Sequence, residues 1–384
     1  MLVLHLSDLH LSRYGETGTW STADAEERPG EVLHVWERWQ IQGLRSRRKN
    51  RPAKLRLVDP EGVVHKVRSW PKRDDEKAVD RLLALAMERH ETSAERLIES
   101  RPTPEELQAL LRLDPANTNL RFLEMLEQVL QVDPELIVIT GDITDNGFGY
   151  GLVRHYLAPW IERQRLLAVP GNHDTYEMIP RKGRKQRAAA KEERFRTFAR
   201  CLGLTLGDEG AWVHRIEDVA LVGLNSCKPP RTLLSASGKV STEQLRWLES
   251  LGAEPELSTA RLRIGMVHHH LLRMPFALGK RSPIEVGMRL RNAPDVMRAC
   301  TAAGLDILLH GHRHHGYMVQ LPAHPMVVSS PSSTLGCKFA KRDYTWVMDL
   351  DQDHPHPLMH EFKGLRADLK PGASLFNQPL DKLS

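Results

Sequence analysis

The sequence predicts an α/β fold from three observations. Short apolar runs recur along the chain, and each breaks abruptly at a polar cluster. Segments of helical periodicity lie between several of these runs. Every polar cluster falls at the carboxyl end of its run, where open α/β sheets bind their ligands.

The runs read as buried strands because they are short, continuous and bounded by polar or turn residues. Leu-Val-Leu-His-Leu at 2–6 ends at Ser7-Asp8-Leu9-His10, and residues 136–140 end at Gly141-Asp142. Residues 166–169 run into Pro170-Gly171-Asn172-His173-Asp174, and 220–224 into Asn225-Ser226. Residues 262–267 precede His268-His269-His270, and 307–309 precede His310-Gly311-His312-Arg313-His314. Residues 326–328 then lead into Ser329-Ser330-Pro331. Helices are expected over 119–132, where Leu120, Leu123, Leu126, Val129 and Leu130 share a face, and over 242–251 and 293–303. Ser241, with Gln244 three residues on, reads as the N-cap of the second of these.

Residues 13–115 have a different character. Residues 14–30 are polar and loop-like, and 43–54 are densely basic. Residues 54–67 read as a hairpin turning at Asp59-Pro60-Glu61-Gly62, and 74–101 as a charged helix or helix pair. The region is expected to be an insertion or subdomain within a catalytic domain spanning 1–350. Residues 181–196 form a second basic stretch, read as a solvated loop and helix, and 351–384 read as a C-terminal tail.

Composition narrows the function. Of 384 residues, 41% are hydrophobic and 27% charged, which excludes a disordered or fibrous chain. No apolar run is long enough to span a membrane. His5, Asp8 and His10 stand where a signal peptide would be apolar, so a cytoplasmic protein is expected. The net charge of +5 is mild; it permits an anionic substrate without demanding nucleic acid. Cys201, Cys227, Cys300 and Cys337 have neither metal-ligand nor disulfide-framework spacing.

The strand-end residues Asp8, His10, Asp142, Asn172, His173, His268, His312 and His314 offer carboxylate, imidazole and amide donors. That mixture suits Mn, Fe, Zn and similar ions. One bridging carboxylate with about three ligands on each side can hold two ions, which clamp a phosphoryl group. Each fragment alone also has a structural reading: Asp8-x-His10 as a strand-end loop, Gly171-Asn172-His173-Asp174 as a turn, His268 to His270 as a surface cluster. Their joint occurrence, each after a strand, favours the metal reading.

The ordered set Asp8-x-His10, Gly141-Asp142-x-x-Asp145, Gly171-Asn172-His173-Asp174, His268 and Gly311-His312-x-His314 resembles the calcineurin-like metallophosphoesterase superfamily. The resemblance covers residues 1–12 and about 119–350 but not the basic insertion. It implies a four-layer α/β/β/α sandwich of two mixed sheets flanked by helices, and a centre of two divalent transition-metal ions. By position, Asp8, His10 and His314 would hold the first ion, Asn172, His268 and His312 the second, and Asp142 would bridge. His173 would be catalytic, contacting the scissile phosphate, while Asp145 and Asp174 would orient their neighbours. His269 is the alternative to His268.

The run 326–334, Met-Val-Val-Ser-Ser-Pro-Ser-Ser-Thr, and the block His268 to Leu272 with Pro275 beyond are similar to the bacterial cyclic-nucleotide phosphodiesterase branch. The expected reaction is therefore phosphodiester hydrolysis by a metal-bridging hydroxide acting on an anionic phosphoester. Two alternatives remain at this level. One is a DNA nuclease of the double-strand-break repair type, for which Arg45 to Arg51 and the 181–196 stretch would contact phosphates. The other is a non-catalytic scaffold of the same fold. The sequence does not fix oligomeric state.

Overall fold

The computed structural model describes residues 1–15, 29–36, 38–44, 54–60, 62, 64–65, 77–145, 147–176, 184–228, 236–272, 288–335, 343–350, 356–362 and 370–371. The chain divides into two compact units, residues 1–11 with 121–384, and residues 12–120. Strands and helices are numbered in chain order.

The first unit contains two six-stranded mixed sheets. One runs β16 (Lys370–Pro371), β15 (His356–Phe362), β14 (Asp343–Asp349), β1 (Leu2–Leu6), β6 (Leu136–Ile139), β7 (Leu166–Ala168). β1, β6 and β7 are parallel, and β14 pairs antiparallel with β1. The segment read as a tail therefore contains a strand of this sheet, β15, paired along its length with β14. β6 and β7, the latter at the sheet's edge, are buried throughout, in keeping with their unbroken apolar sequence.

The other sheet runs β12 (Tyr317–Val319), β13 (Met326–Ser329), β11 (Ile307–His310), β10 (Leu262–Val267), β9 (Val219–Leu224), β8 (Trp212–Ile216). It is parallel from β13 to β9 and antiparallel at both edges. Two indoles tie the sheets face to face. Trp346 of β14 donates to the Ser329 carbonyl of β13 at 2.6 Å, and Trp212 of β8 to the Ala168 carbonyl of β7 at 3.0 Å. Gly223 makes room for the second indole, since a Cβ there would lie 2.1 Å from the ring.

Around the sheets lie α5 (Tyr150–Tyr156), α6 (Ala158–Glu162), α7 (Asn172–Thr175), α8 (Arg184–Cys201), α9 (Thr242–Leu251), α10 (Pro255–Ser258) and α11 (Ala293–Ala302). α9 starts at the Ser241 cap, whose Oγ accepts from the Gln244 amide. Leu248 and Leu251 of α9 and Val296, Ala299 and Cys300 of α11 pack with Val222 and Leu308 of the sheet. The result is the four-layer arrangement of two mixed sheets between helices.

The second unit pairs β2 (Pro29–Trp36), β3 (Trp39–Leu44), β4 (Lys54–Val58) and β5 (Val64–His65) in one antiparallel sheet. The β4–β5 hairpin turns where Asp59-Pro60-Glu61-Gly62 predicts, with the Gly62 amide on the Asp59 carbonyl at 3.0 Å. β2 and β3 fall partly in sequence that reads as loop and basic run. α1 (Ala78–Glu91) lays Ala78, Leu82 and Ala86 on Trp39, Ile41, Leu55 and Leu57. α2 (Ala94–Glu99) and α3 (Pro104–Leu113) follow, the latter opened by a Thr103–Glu106 capping box. α4 (Thr118–Val129) contains the division between the units.

The basic run Arg45 to Arg51, Pro275, Cys337 and residues 181–183 lie outside the described residues. Among the described residues, no helix is long and apolar enough to cross a membrane.

Candidate metal centre

The loops leaving β1, β6, β7, β10 and β11 bring the sequence-selected residues together. Three groups place a ligand atom from each member within 4.8 Å of the others: Asp8, His10 and His314; Asp142, His268 and His312; and His10, Asp142 and His173. The first two groups separate the histidines as the sequence resemblance does. The third sets His173 beside them, its ring 4.7 Å from that of His10.

The backbone here is strained. Asp8, His10, Asp142, His312 and His314 all have φ between 49° and 76°. That left-handed region costs an L-residue roughly 1–2 kcal/mol, and it persists only where the surroundings enforce it. They do so here. The Asp8 amide donates to the Gly141 carbonyl at 3.0 Å and the His10 amide to the Asp142 carbonyl at 2.9 Å. Ser332 Oγ donates to the Asp8 carbonyl at 2.6 Å and Thr334 Oγ1 to the Leu9 carbonyl at 2.8 Å.

Hydrogen bonds then fix which ring nitrogen His268 and His10 present. His268 Nδ1 donates to the Thr140 carbonyl at 2.8 Å. Its Nε2 lone pair consequently faces Asn172 Oδ1 at 3.1 Å, His312 Nδ1 at 3.1 Å and Asp142 Oδ2 at 3.3 Å. His10 Nδ1 donates to Asp145 Oδ1 at 2.8 Å, so its Nε2 meets His314 Nε2 at 3.1 Å and lies 4.0 Å from Asp8 Oδ1 and from Asp142 Oδ2. Asp8 Oδ2 accepts from Ser7 Oγ and the His312 amide, which leaves the buried Oδ1 toward His314 Nε2 at 3.5 Å. Asp142 Oδ1 accepts from the His173 amide, which leaves Oδ2 toward both histidine groups.

Acceptor atoms aimed at one another are tolerable only around a cation or a proton. These residues therefore fit two metal ions by their own chemistry, and imidazoles held through the second nitrogen are the usual form of metal-bound histidine. The titration behaviour agrees. Burial alone would lower His10 and His268, but the Asp145 and Asp142 carboxylates prevail and raise them to about 10 and about 9. Burial would raise Asp142, yet His268 and His173 hold it well below the ordinary carboxylate range.

Three glycines allow the approach. A Cβ on Gly171 would lie 2.0 Å from the Asp142 amide nitrogen, and one on Gly311 2.4 Å from Asp8 Oδ2. A Cβ on Gly141, where φ is +91°, would lie 2.6 Å from His268 Nδ1.

Asp145 Oδ1 accepts from His173 Nδ1 at 2.8 Å as well as from His10, and these histidines depress its carboxyl strongly against the effect of burial. Asp174 accepts from the Gly171, Ile143 and Thr144 amides and from the Tyr150 hydroxyl, so it shapes the turn that carries Asn172 and His173. Burial and the nearby Asp142 charge raise it to about 6. His269 points elsewhere, with its ring nitrogens on Ser226 Oγ and the Ala236 carbonyl. His310 meets the Tyr317 hydroxyl at 2.8 Å. The sequence reading gave no role to the hydroxyls of Ser7, Ser332 and Thr334, although Ser7 adjoins Asp8 and the other two lie in the 326–334 run. It also missed Lys191, which sits inside a run that reads as surface.

Comparison with known proteins follows the same line. No curated protein sequence matches the chain. Among solved structures, a purple acid phosphatase from yellow lupin (Lupinus luteus) seeds shares 12% identity over 65% of this chain and 48% of its own, with a TM-score of 0.45. The chain thus spans about half the length of that enzyme. A dimetal phosphatase from Danio rerio shares 12% identity over 65% of this chain and 88% of its own, with a TM-score of 0.44. The family model for calcineurin-like phosphoesterases matches residues 116–316, just over half the chain, and includes Asp142, Asn172, His173, His268, His312 and His314. By that match the chain belongs to the calcineurin-like phosphoesterase family.

Proposed function

We propose that the chain is a metal-dependent phosphodiesterase of the cytoplasm, with a catalytic domain at 1–350, an inserted subdomain at 13–115 and a C-terminal segment at 351–384. The observation that carries the catalytic reading is the convergence of His268 Nε2, His312 Nδ1, Asn172 Oδ1 and Asp142 Oδ2, with the His268 tautomer fixed by Thr140. The diester preference rests on the likeness of the 268–272 and 326–334 segments to cyclic-nucleotide phosphodiesterases.

Asp8, His10 and His314 would hold one ion and Asn172, His268 and His312 the other, with the Asp142 carboxylate shared. Bound divalent ions supply Lewis acidity toward the phosphate and hydroxide at neutral pH. His173 is 27% exposed and anchored through Nδ1 to Asp145, so its Nε2 serves the substrate. Through that nitrogen it hydrogen-bonds the phosphate or protonates the leaving alkoxide. Asp145 thus sets a metal-holding histidine and a substrate-facing one with a single oxygen.

The test is a substrate panel with Mn, Fe and Zn. Bis(p-nitrophenyl) phosphate and cyclic nucleotides should be hydrolysed at least ~10-fold faster than p-nitrophenyl phosphate, a difference of about 1.4 kcal/mol in barrier. A faster monoester rate overturns the diesterase assignment. Preferential cleavage of DNA ends transfers it to a nuclease.

A further inference from the structure

The sequence reading placed 181–196 on a solvated surface. Within it, Lys191 is only 8% exposed. Its ammonium donates to the Asp145 carbonyl at 2.6 Å and to the His173 carbonyl at 3.0 Å. Lys191 shares the buried stripe of α8 with Phe195, Phe198 and Ala199. Phe198 stacks on Tyr150 at 4.7 Å, and the Tyr150 hydroxyl holds Asp174. One helix face therefore backs the whole turn that carries His173.

The bonds close a ring. The Asp145 carboxylate holds the His173 imidazole at 2.8 Å, while Lys191 holds the two residues' backbones to each other. Burying an ammonium is costly unless its donors are satisfied, and an apolar side chain could anchor the helix without that cost. We infer that Lys191 is a positioning residue for His173, fixing the setting of the imidazole against Asp145. The inference rests on His173 facing the substrate.

The experiment is a double-mutant cycle with Lys191→Met and His173→Ala, using diesters with alkoxide and p-nitrophenolate leaving groups. Metal content and thermal melting are followed alongside. Lys191→Met should keep its metal, lose about 10–100-fold in kcat for the alkoxide substrate and less than about 3-fold for the p-nitrophenolate one. It should cause no further loss in the His173→Ala background. Histidine ¹⁵N spectra of the metal-free protein should show the His173 Nδ1–H signal moved in Lys191→Met and restored in Lys191→Arg.

Additive losses, or equal losses for both leaving groups, overturn the inference. If His173→Ala itself keeps full rate, the reading of His173 fails instead. Should Lys191→Met not fold, Lys191→Gln carries the same cycle. Failure of both to fold makes Lys191 a determinant of the fold and also overturns the inference.

Discussion

Gly171 is not a ligand, yet its replacement by alanine should disable the metal centre. Its φ of −100° suits any residue, so the effect is purely steric. The added Cβ would stand 2.0 Å from the Asp142 amide nitrogen and 2.1 Å from Asp142 Oδ1. Reaching the closest separation real Cβ atoms show requires a retreat of about 1 Å, several times the ~0.2 Å tolerance of metal–ligand distances. Because the nearest atom is backbone, the two turns must separate and carry the Asp142 carboxylate with them. Overpacking of this kind costs ~1–3 kcal/mol. Metal affinity should fall about 10–100-fold and turnover by ~10²-fold. Metal content after dialysis, melting temperature and hydrolysis of bis(p-nitrophenyl) phosphate would be measured together. Gly207→Ala is the control, since its Cβ would meet only the Ala211 carbonyl, at 3.5 Å. Two equivalents of metal and near-normal turnover in Gly171→Ala would refute the steric reasoning.

Asp142→Ala should be the most damaging ligand change, losing both ions in metal analysis, because Asp142 Oδ2 faces both histidine groups; retention of two ions would show that Asp142 does not bridge. His173→Ala should keep its metal and lose ~10²–10⁴-fold with poor leaving groups, and loss of an ion would instead make it a ligand. His5 supplies a pH signature. Burial, with the nearby His310, lowers it to about 3, while the unfolded chain titrates near 6.5. Below pH 6.5 the unfolded state binds the extra proton, so stability is full above that value and falls toward pH 3 by about 1.4 kcal/mol per unit. In metal-free protein, urea midpoints between pH 6.5 and 4.5 should fall less steeply for His5→Asn than for wild type; parallel slopes would show that His5 is not held neutral.

Much of the site was legible because strand-end chemistry is local. An apolar run followed by Asp-x-His, Gly-Asp or Gly-His-x-His shows its donor types and its permissive glycine together. What decides between His268 and His269 is nonlocal: the Thr140 carbonyl meets one ring, and Ser226 and Ala236 meet the other. Lys191 is obscured for the same reason. Its helix is so charged that the apolar stripe of Phe195 and Phe198, at i+4 and i+7 from it, is diluted, and only tertiary packing shows that its ammonium has carbonyl partners. In the second unit the hairpin at Asp59–Gly62 was visible from turn chemistry. β2 and β3 were not, because the loop and basic run at their ends masked the alternating apolar residues between, although each pairs with its neighbour in sequence.

Metal stoichiometry coupled to activity tests the catalytic reading most directly. Protein purified without chelator should carry two transition-metal equivalents per chain. Chelation should abolish phosphodiester hydrolysis, and Mn or Fe should restore it in proportion to the metal bound. Protein that stays metal-free with added Mn or Fe and gains no hydrolytic activity would contradict it.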